Sequence, residues 1–120
     1  MRYKLIIPGR LLGLNDLIKG HWATTHRKKT AEMKRIQLEA RAQSMRPVTG
    51  KVKVTISCYE PNAKRDDDNV TGGAAKCILD ALQGIGVLKG DGQKYVMCIK
   101  APVKVDRENP RVEVLIEEYR

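Results

Sequence analysis

Apolar and polar positions alternate most strictly at Val52, Val54, Ile56 and Cys58, which interleave with Lys51, Lys53, Thr55 and Ser57. Residues two apart in an extended chain share a face, so this pattern predicts a half-buried β-strand. Val112, Val114 and Ile116, set between Arg111, Glu113 and Glu117, predict another near the C-terminus. Tyr3 to Ile7 forms a short strand that runs into Pro8-Gly9. Tyr95 to Ile99 is almost continuously apolar, as in a strand covered on both faces.

Two stretches carry helical spacing instead. From about Thr25 to Ser44, Met33, Ile36 and Ala40 form one stripe, with Leu38, Ala42 and Met45 beside it. Arg27, Lys28, Lys34, Arg35 and Arg41 share the remaining surface. From about Gly73 to Gln83, the residues Ala75, Ile78, Leu79 and Leu82 repeat at i, i+3, i+4 and i+7, and Gly84 and Gly86 end the helix. The order β-α-β-α-β-β predicts an α+β fold, a mixed β-sheet with two packed helices in a single domain over residues 1–120. With no Phe and a single Trp, the core must be built from Val, Ile, Leu and Ala.

Charge adds an asymmetry. The net charge is +9, and residues 1–59 hold thirteen Lys/Arg against three acids, whereas residues 60–120 hold ten against eleven. A basic half beside a balanced half points to a polyanion-binding surface next to something that uses carboxylates; the alternative is a solvated basic face. Arg27-Lys28-Lys29 fall in the first turn of the first helix, where the positive end of the macrodipole disfavours cations. That placement suits a phosphate-binding role, or else salt screens its cost away. No segment has the pattern of a signal peptide or of a membrane span, so a soluble, cytoplasmic protein with no membrane association is expected. Cys58, Cys77 and Cys98 are widely spaced, each within apolar sequence, and read as small buried hydrophobes and not as a disulfide or zinc framework.

The candidate chemistry lies in Lys64-Arg65-Asp66-Asp67-Asp68-Asn69. Three consecutive carboxylates repel one another unless something neutralises them, and Mg²⁺ does so with oxygen ligands, usually one or two carboxylates plus substrate phosphate. In an extended segment Asp66 and Asp68 point to the same side. A third carboxylate, Asp91, sits between Gly90 and Gly92, where a bare backbone admits a phosphate and a metal. Two structural alternatives compete. Asp68 and Asn69 can cap the second helix. A calcium loop starting at Asp67 fails, because its twelfth position is Ile78 and not Glu. Lys76 and Asp80 are one helical turn apart, spaced for an ordinary ion pair or for aiming Lys76 at a scissile phosphate.

Arg65-Asp66-x-Asp68-Asn69, then Lys76-x-x-x-Asp80-Ala81-Leu82, Gly86 and Asp91-x-Gln93, resemble the central signature of the RusA family of Holliday-junction resolvases. The resemblance spans about residues 52–116, with Pro8 and Asn15 matching a Pro and an Asn near the family's N-terminus. It implies that Asp66, Asp68 and Asp91 are metal-binding catalytic carboxylates for Mg²⁺, with Mn²⁺ as a substitute, and that Lys76 is a catalytic lysine. Asn69 would brace the site or touch the DNA backbone. Arg65 and Asn15, with Arg27, Lys28 and Lys29, would contact DNA. The implied activity is that of a crossover junction endodeoxyribonuclease in DNA recombination and repair, often phage- or prophage-encoded. It acts as a homodimer that places paired symmetric nicks in four-way junctions.

The implied reaction is hydrolysis by metal-activated water, with no organic cofactor. A C₂ homodimer suits it, because one chain holds one site and resolution needs two cuts. The sequence departs from the family pattern in two places. Three residues around Thr71-Gly72-Gly73 would lengthen the active-site loop, and Gly90-Asp91 stands where many members have paired acids. His21 and His26 read as exposed loop histidines, and Trp22 either stacks on a base or anchors the first helix to the core. Two other functions remain consistent with the residues. One is a nuclease of the same fold for flaps or other branched DNA; the other is a non-catalytic, structure-selective DNA-binding protein whose acidic loop only caps a helix.

Overall fold

The alternating segments pair into one sheet, and the apolar side of that sheet collects the helices. In the computed structural model, which describes residues 2–119, the strands are β1 (Arg2–Pro8), β2 (Val52–Glu60), β3 (Val96–Lys100), β4 (Lys104–Val105) and β5 (Arg111–Glu118). The helices are α1 (Leu14–Ile18), α2 (Trp22–Ala42) and α3 (Asp67–Gly84). The strand order is β1-β5-β2-β3, with β4 pairing the end of β2. β5 runs antiparallel to β1 and β2, whereas β3 and β4 run parallel to β2. A parallel pair needs a long crossover, and α3 supplies it between β2 and β3. The fold is the expected single-domain α+β class with a mixed sheet.

Burial follows strand parity. Leu5 and Ile7 of β1, Val52, Val54, Ile56 and Cys58 of β2, and Val112, Val114 and Ile116 of β5 all face the core. The other face, with Lys4, Lys53, Thr55 and Glu113, stays partly in water. α3 fills the centre: Val70, Ala74, Cys77, Ile78, Ala81 and Leu82 are buried against the sheet and its neighbouring helices. Burial raises the thiol of Cys58 to about 12 and that of Cys77 to about 11, so both stay protonated and behave as apolar groups. Among the described residues, no helix is long and apolar enough to cross a membrane.

Four expectations need correction. There are three helices, because α1 forms within a segment whose five residues carry too short a period to be seen. Its start is a local hydrogen bond: the Gly13 N–H donates to Asp16 Oδ2 at 2.8 Å. Second, α3 begins at Asp67 and not near Gly73, so Thr71-Gly72-Gly73 lengthen a helix and not a loop. Glycine weakens a helix by about 1 kcal/mol relative to alanine. At Gly73, however, an added Cβ would lie 2.2 Å from the carbonyl oxygen of Leu12, so only glycine lets α3 pack on that backbone. Third, β3 is not covered on both faces: Val96 is buried but Met97 is 42% exposed, because Met97, paired with Lys53, lies on the sheet face that carries no helix. Fourth, of the stripe expected beside Ile36 and Ala40, Leu38 and Ala42 face water, Leu38 being 65% exposed, whereas Met45 packs against the core.

Candidate functional site

β2 ends on a residue that its alternation places inside. Glu60 follows the buried parity of Val52 to Cys58 and is 3% exposed. Two guanidinium groups neutralise its carboxylate: Arg10 Nη2 donates to Glu60 Oε1 at 2.8 Å and Arg65 Nε at 2.9 Å. Arg65 also donates through both terminal nitrogens to the Leu11 carbonyl, each at 3.2 Å. Arg65, expected at DNA, therefore ties the strand end to the segment before α1. Glu60 and Arg10 escape a reading of motifs, but a carboxylate that continues a buried alternation is a signal for such a brace.

Directly after this brace come the three aspartates, each with a different job. Asp66 is the N-cap of α3: its Oδ1 accepts the Asn69 N–H at 2.8 Å. Asp67 reaches across to the segment just before β4, where its Oδ2 accepts the Val103 N–H at 3.3 Å. Asp68, in the first helical turn, makes no hydrogen bond or ion pair among the described residues and is exposed. The capping role expected of Asp68 thus belongs to Asp66. The segment is also helical from Asp67 onward, so Asp66 and Asp68 do not share a face by strand alternation; they share a helix end, within one turn. Carboxylates there are favoured by the positive end of the helix dipole.

Asn69 braces the same corner. Its Oδ1 accepts the Asn15 N–H at 2.7 Å, and a Cβ on Gly13 would lie 2.8 Å from its amide. Asn69 thereby ties the first turn of α3 to the start of α1. Asn15 takes part through its backbone, with its side chain exposed at the start of α1.

Lys76 and Asp91 stand apart from that corner. Lys76 is eight residues beyond Asp68, about 12 Å along the helix axis. It is exposed and 3.7 Å from Asp80. Asp80 is itself taken by Lys29, whose Nζ donates to Oδ2 at 2.5 Å. Lys29 is thereby an α2–α3 strut, unlike Arg27 and Lys28, which are exposed and without partners among the described residues. Asp91 lies in the loop between α3 and β3. The Gly92 carbonyl accepts the Tyr95 and Val96 N–H groups, and Val96 pairs with Val52, the first residue of β2. Asp66 and Asp91 therefore lie toward opposite ends of α3, whose 18 residues span about 27 Å.

A metal ligand set can be tested against this placement. Among the described residues, no group of three His, Cys, Asp or Glu side chains is close enough together to hold one ion. Asp66 and Asp68 on one helix end match the one or two carboxylates that Mg²⁺ commonly takes beside phosphate and water. The full set of Asp66, Asp68 and Asp91 is not assembled within one chain.

The outer face of α2 offers a second kind of surface. Trp22, His26, Arg27, Thr30 and Lys34 line a shallow groove along it. Trp22 is 74% exposed and stacks on His21 with ring centroids 6.0 Å apart, so it does not anchor the helix to the core. His21 is the N-cap of α2, its Nδ1 accepting the Ala23 N–H at 3.2 Å. His26 is exposed.

No characterised protein matches the chain at a significant level. The family model described as endodeoxyribonuclease RusA matches residues 17–117, from α1 to the end of β5, including the whole acidic corner and the Asp91 loop. With that match over most of its length, the chain belongs to the RusA family of endodeoxyribonucleases.

Proposed function

We propose that the chain is a Mg²⁺-dependent endonuclease, with Mn²⁺ as a substitute, that resolves four-way DNA junctions by paired nicks as a homodimer. The observation that carries this reading is the family match across the acidic corner, where Asp68 offers a carboxylate that no internal contact uses. A bound divalent cation would supply a water of lowered pKa and polarise the scissile phosphate. The chain's own residues do the rest. Asp66 holds the helix end in place through its cap bond and keeps Oδ2 for a ligand, and Asn69, Arg65 and Glu60 keep that corner rigid. Arg27, Lys28 and Lys34 meet the phosphate backbone, and Trp22 provides an aromatic face for an unstacked base at an opened junction. Lys76 places a cation on the outer side of α3, along the path of the DNA.

One observation favours a different reading. Asp66 caps α3 and Asp67 ties down the segment before β4, which is also what a non-catalytic DNA-binding protein would use them for. Cleavage of a labelled four-way junction with Mg²⁺, with EDTA and with Asp68→Asn separates the two. The nuclease reading expects symmetric paired nicks that disappear in both controls while binding persists. Tight binding without nicks under Mg²⁺ and Mn²⁺ alike would establish the DNA-binding protein instead. Three-way and flap substrates in the same assay measure how far the activity is confined to four-way junctions.

A further inference from the structure

A phosphate held at the acidic corner gains negative charge as it is cut, and α3 supplies no cation beside it. From Asp67 to Ala75 the helix carries no Lys or Arg, and Lys76, its first cation, leans onward to Asp80 at 3.7 Å. Arg65, just before the corner, is held by Glu60 and the Leu11 carbonyl. A cation comes instead from another element. We infer that Lys100, the last residue of β3, is a catalytic residue whose ammonium donates to a non-bridging oxygen of the scissile phosphate beside Asp68. This rests on the nuclease reading above and names a further group at its site.

Gly72 follows Asp68 by four residues, so the two share a helix face one turn apart, about 5.4 Å along the axis. Gly72 also lines a groove between α3 and β3, whose walls include Ala75, Leu79 and Cys98 and whose cations are Lys76 and Lys100. Having no side chain, Gly72 leaves that stretch of the face open between Asp68 and the groove. Strand alternation turns Lys100 to the helix side of the sheet, as it does Val96 and Cys98. Burial raises the Cys98 thiol and the Lys100 charge acts against it, so the ammonium stands near that wall of the groove.

The backbone that carries Lys100 is pinned on both sides. The Ala101 N–H donates to the Ile56 carbonyl at 2.9 Å, and the Val103 N–H donates to Asp67 Oδ2 at 3.3 Å. The end of β3 is therefore tied to β2 and to the first turn of α3, the turn that holds Asp68. Lys100 itself is exposed and makes no hydrogen bond or ion pair among the described residues. Lys64 is exposed too but does not line the groove. Lys104 lies on the other face of the sheet, over the Tyr59 ring at 6.0 Å.

In the hydrolysis a water oxygen bonds to phosphorus as one ester P–O bond breaks. One water proton ends on the departing oxygen and the other leaves to solvent. Lys100 keeps its own proton throughout. Its hydrogen bond strengthens as charge builds on the non-bridging oxygen, and that difference between ground state and transition state lowers the barrier.

The test compares wild type with Lys100→Met, Lys100→Arg and Lys104→Met on a labelled four-way junction. Single-turnover nicking at saturating enzyme in Mg²⁺ reads the chemical step, and the salt dependence of binding in EDTA reads phosphate contacts without it. Lys100→Met should slow nicking by about 100-fold, as loss of one such donor does. It should also lower the salt slope by about one. Lys100→Arg, which keeps the charge, should restore the slope and recover much of the rate. Lys104→Met should change neither, and every variant should melt like wild type. A normal rate in Lys100→Met overturns the inference even if the slope falls, because the ammonium then meets a phosphate that is not cut. An unchanged slope overturns it because the charge then touches no phosphate. A Lys100→Arg variant as slow as Lys100→Met overturns it as well, because the residue then acts through the fold and not by its charge. All three outcomes leave the nuclease reading in place. A wild type that cuts no junction removes the nuclease reading, and a catalytic Lys100 falls with it.

Discussion

The two long helices use their surfaces in opposite ways. α3 buries nine of its 18 residues, whereas α2 buries two of 21. A helix enclosed by the sheet and its neighbours offers reactive groups only at its ends and along one narrow flank. A helix on the rim offers a whole face. Asp66, Asp67 and Asp68 accordingly sit at the N-terminal end of α3, on a corner held by Asn69, Arg65 and Glu60, and Asp91 lies in the loop beyond the other end. The cations and Trp22 spread along α2, where long side chains can adapt to the path of a phosphate backbone. On the proposed reading, groups that need fixed geometry sit on the buried helix and groups that need reach on the exposed one.

The sharpest way to break this contrast is at the acidic corner. Asp68→Asn should lower junction cleavage by at least about 100-fold, since a metal contributes several kcal/mol to the transition state. Affinity and melting temperature should stay close to wild type, because Asp68 makes no internal bond. Normal cleavage by this variant would remove Asp68 from the site. Next comes the frame. Gly73→Val forces a side chain into the Leu12 carbonyl and should destabilise the fold by about 3 kcal/mol, as overpacking does. Urea unfolding measures it, and an unchanged midpoint would mean that α3 is not pressed on that segment.

Effects on α2 should be smaller and should appear in binding only. Trp22→Ala should weaken binding to an opened junction by about 1–3 kcal/mol while leaving thermal stability unchanged. A loss of stability would show that the ring is buried in solution. Replacing Arg27 and Lys28 together by Ala should lower the salt-dependence slope of DNA binding by about two. Lys29→Ala should leave that slope alone and lower stability by about 1 kcal/mol, because Lys29 is spent on Asp80. If Lys29→Ala instead changes the slope as the other two do, the strut does not hold in solution.

The smallest effect is at the start of β5, beside the end of β2, where Arg111 pairs with Tyr59. A hydrogen bond from Arg111 holds the Glu113 carboxyl below its ordinary value of 4.5, and the Asn109 amide followed by Arg111 does the same for Asp106. A lowered carboxylate contributes stability above the ordinary carboxylate range and loses it as pH falls through the lowered value. Arg111→Leu should therefore shift the midpoint of acid unfolding slightly upward, while activity near neutral pH is unchanged. A downward shift would contradict the ion pairs seen here.

Much of the fold was legible because its signals are periodic. The alternation at Val52 to Cys58 and Val112 to Ile116 placed the central strands and their buried faces, and the Ala75–Leu82 spacing placed the body of α3. The missed elements lack a period. α1 is five residues started by a turn, and β4 is two residues recruited by pairing with Tyr59 and Glu60. α3 starts at Asp67, ahead of the expected Gly73, because the apolar period is read only from Ala75 onward, and Gly73 itself is demanded by contact with the backbone of Leu12 and Gly13. At the site, the residue types were legible and the partnerships were not. Nothing local distinguishes Lys29, bonded to Asp80, from Lys28, which faces water, or shows that Arg65 belongs to Glu60.

The sequence by itself determined the α+β class, the basic half, Cys58 and Cys77 (though not the half-buried Cys98) as core thiols, and the RusA signature, because periodicity, charge and short motifs are local properties of a chain. Only the tertiary structure decided which aspartate caps, which cations remain available to DNA, and that Asp91 lies an α-helix away from Asp66. Those depend on contacts between residues distant in sequence, and a motif read in order carries no information about distance in space.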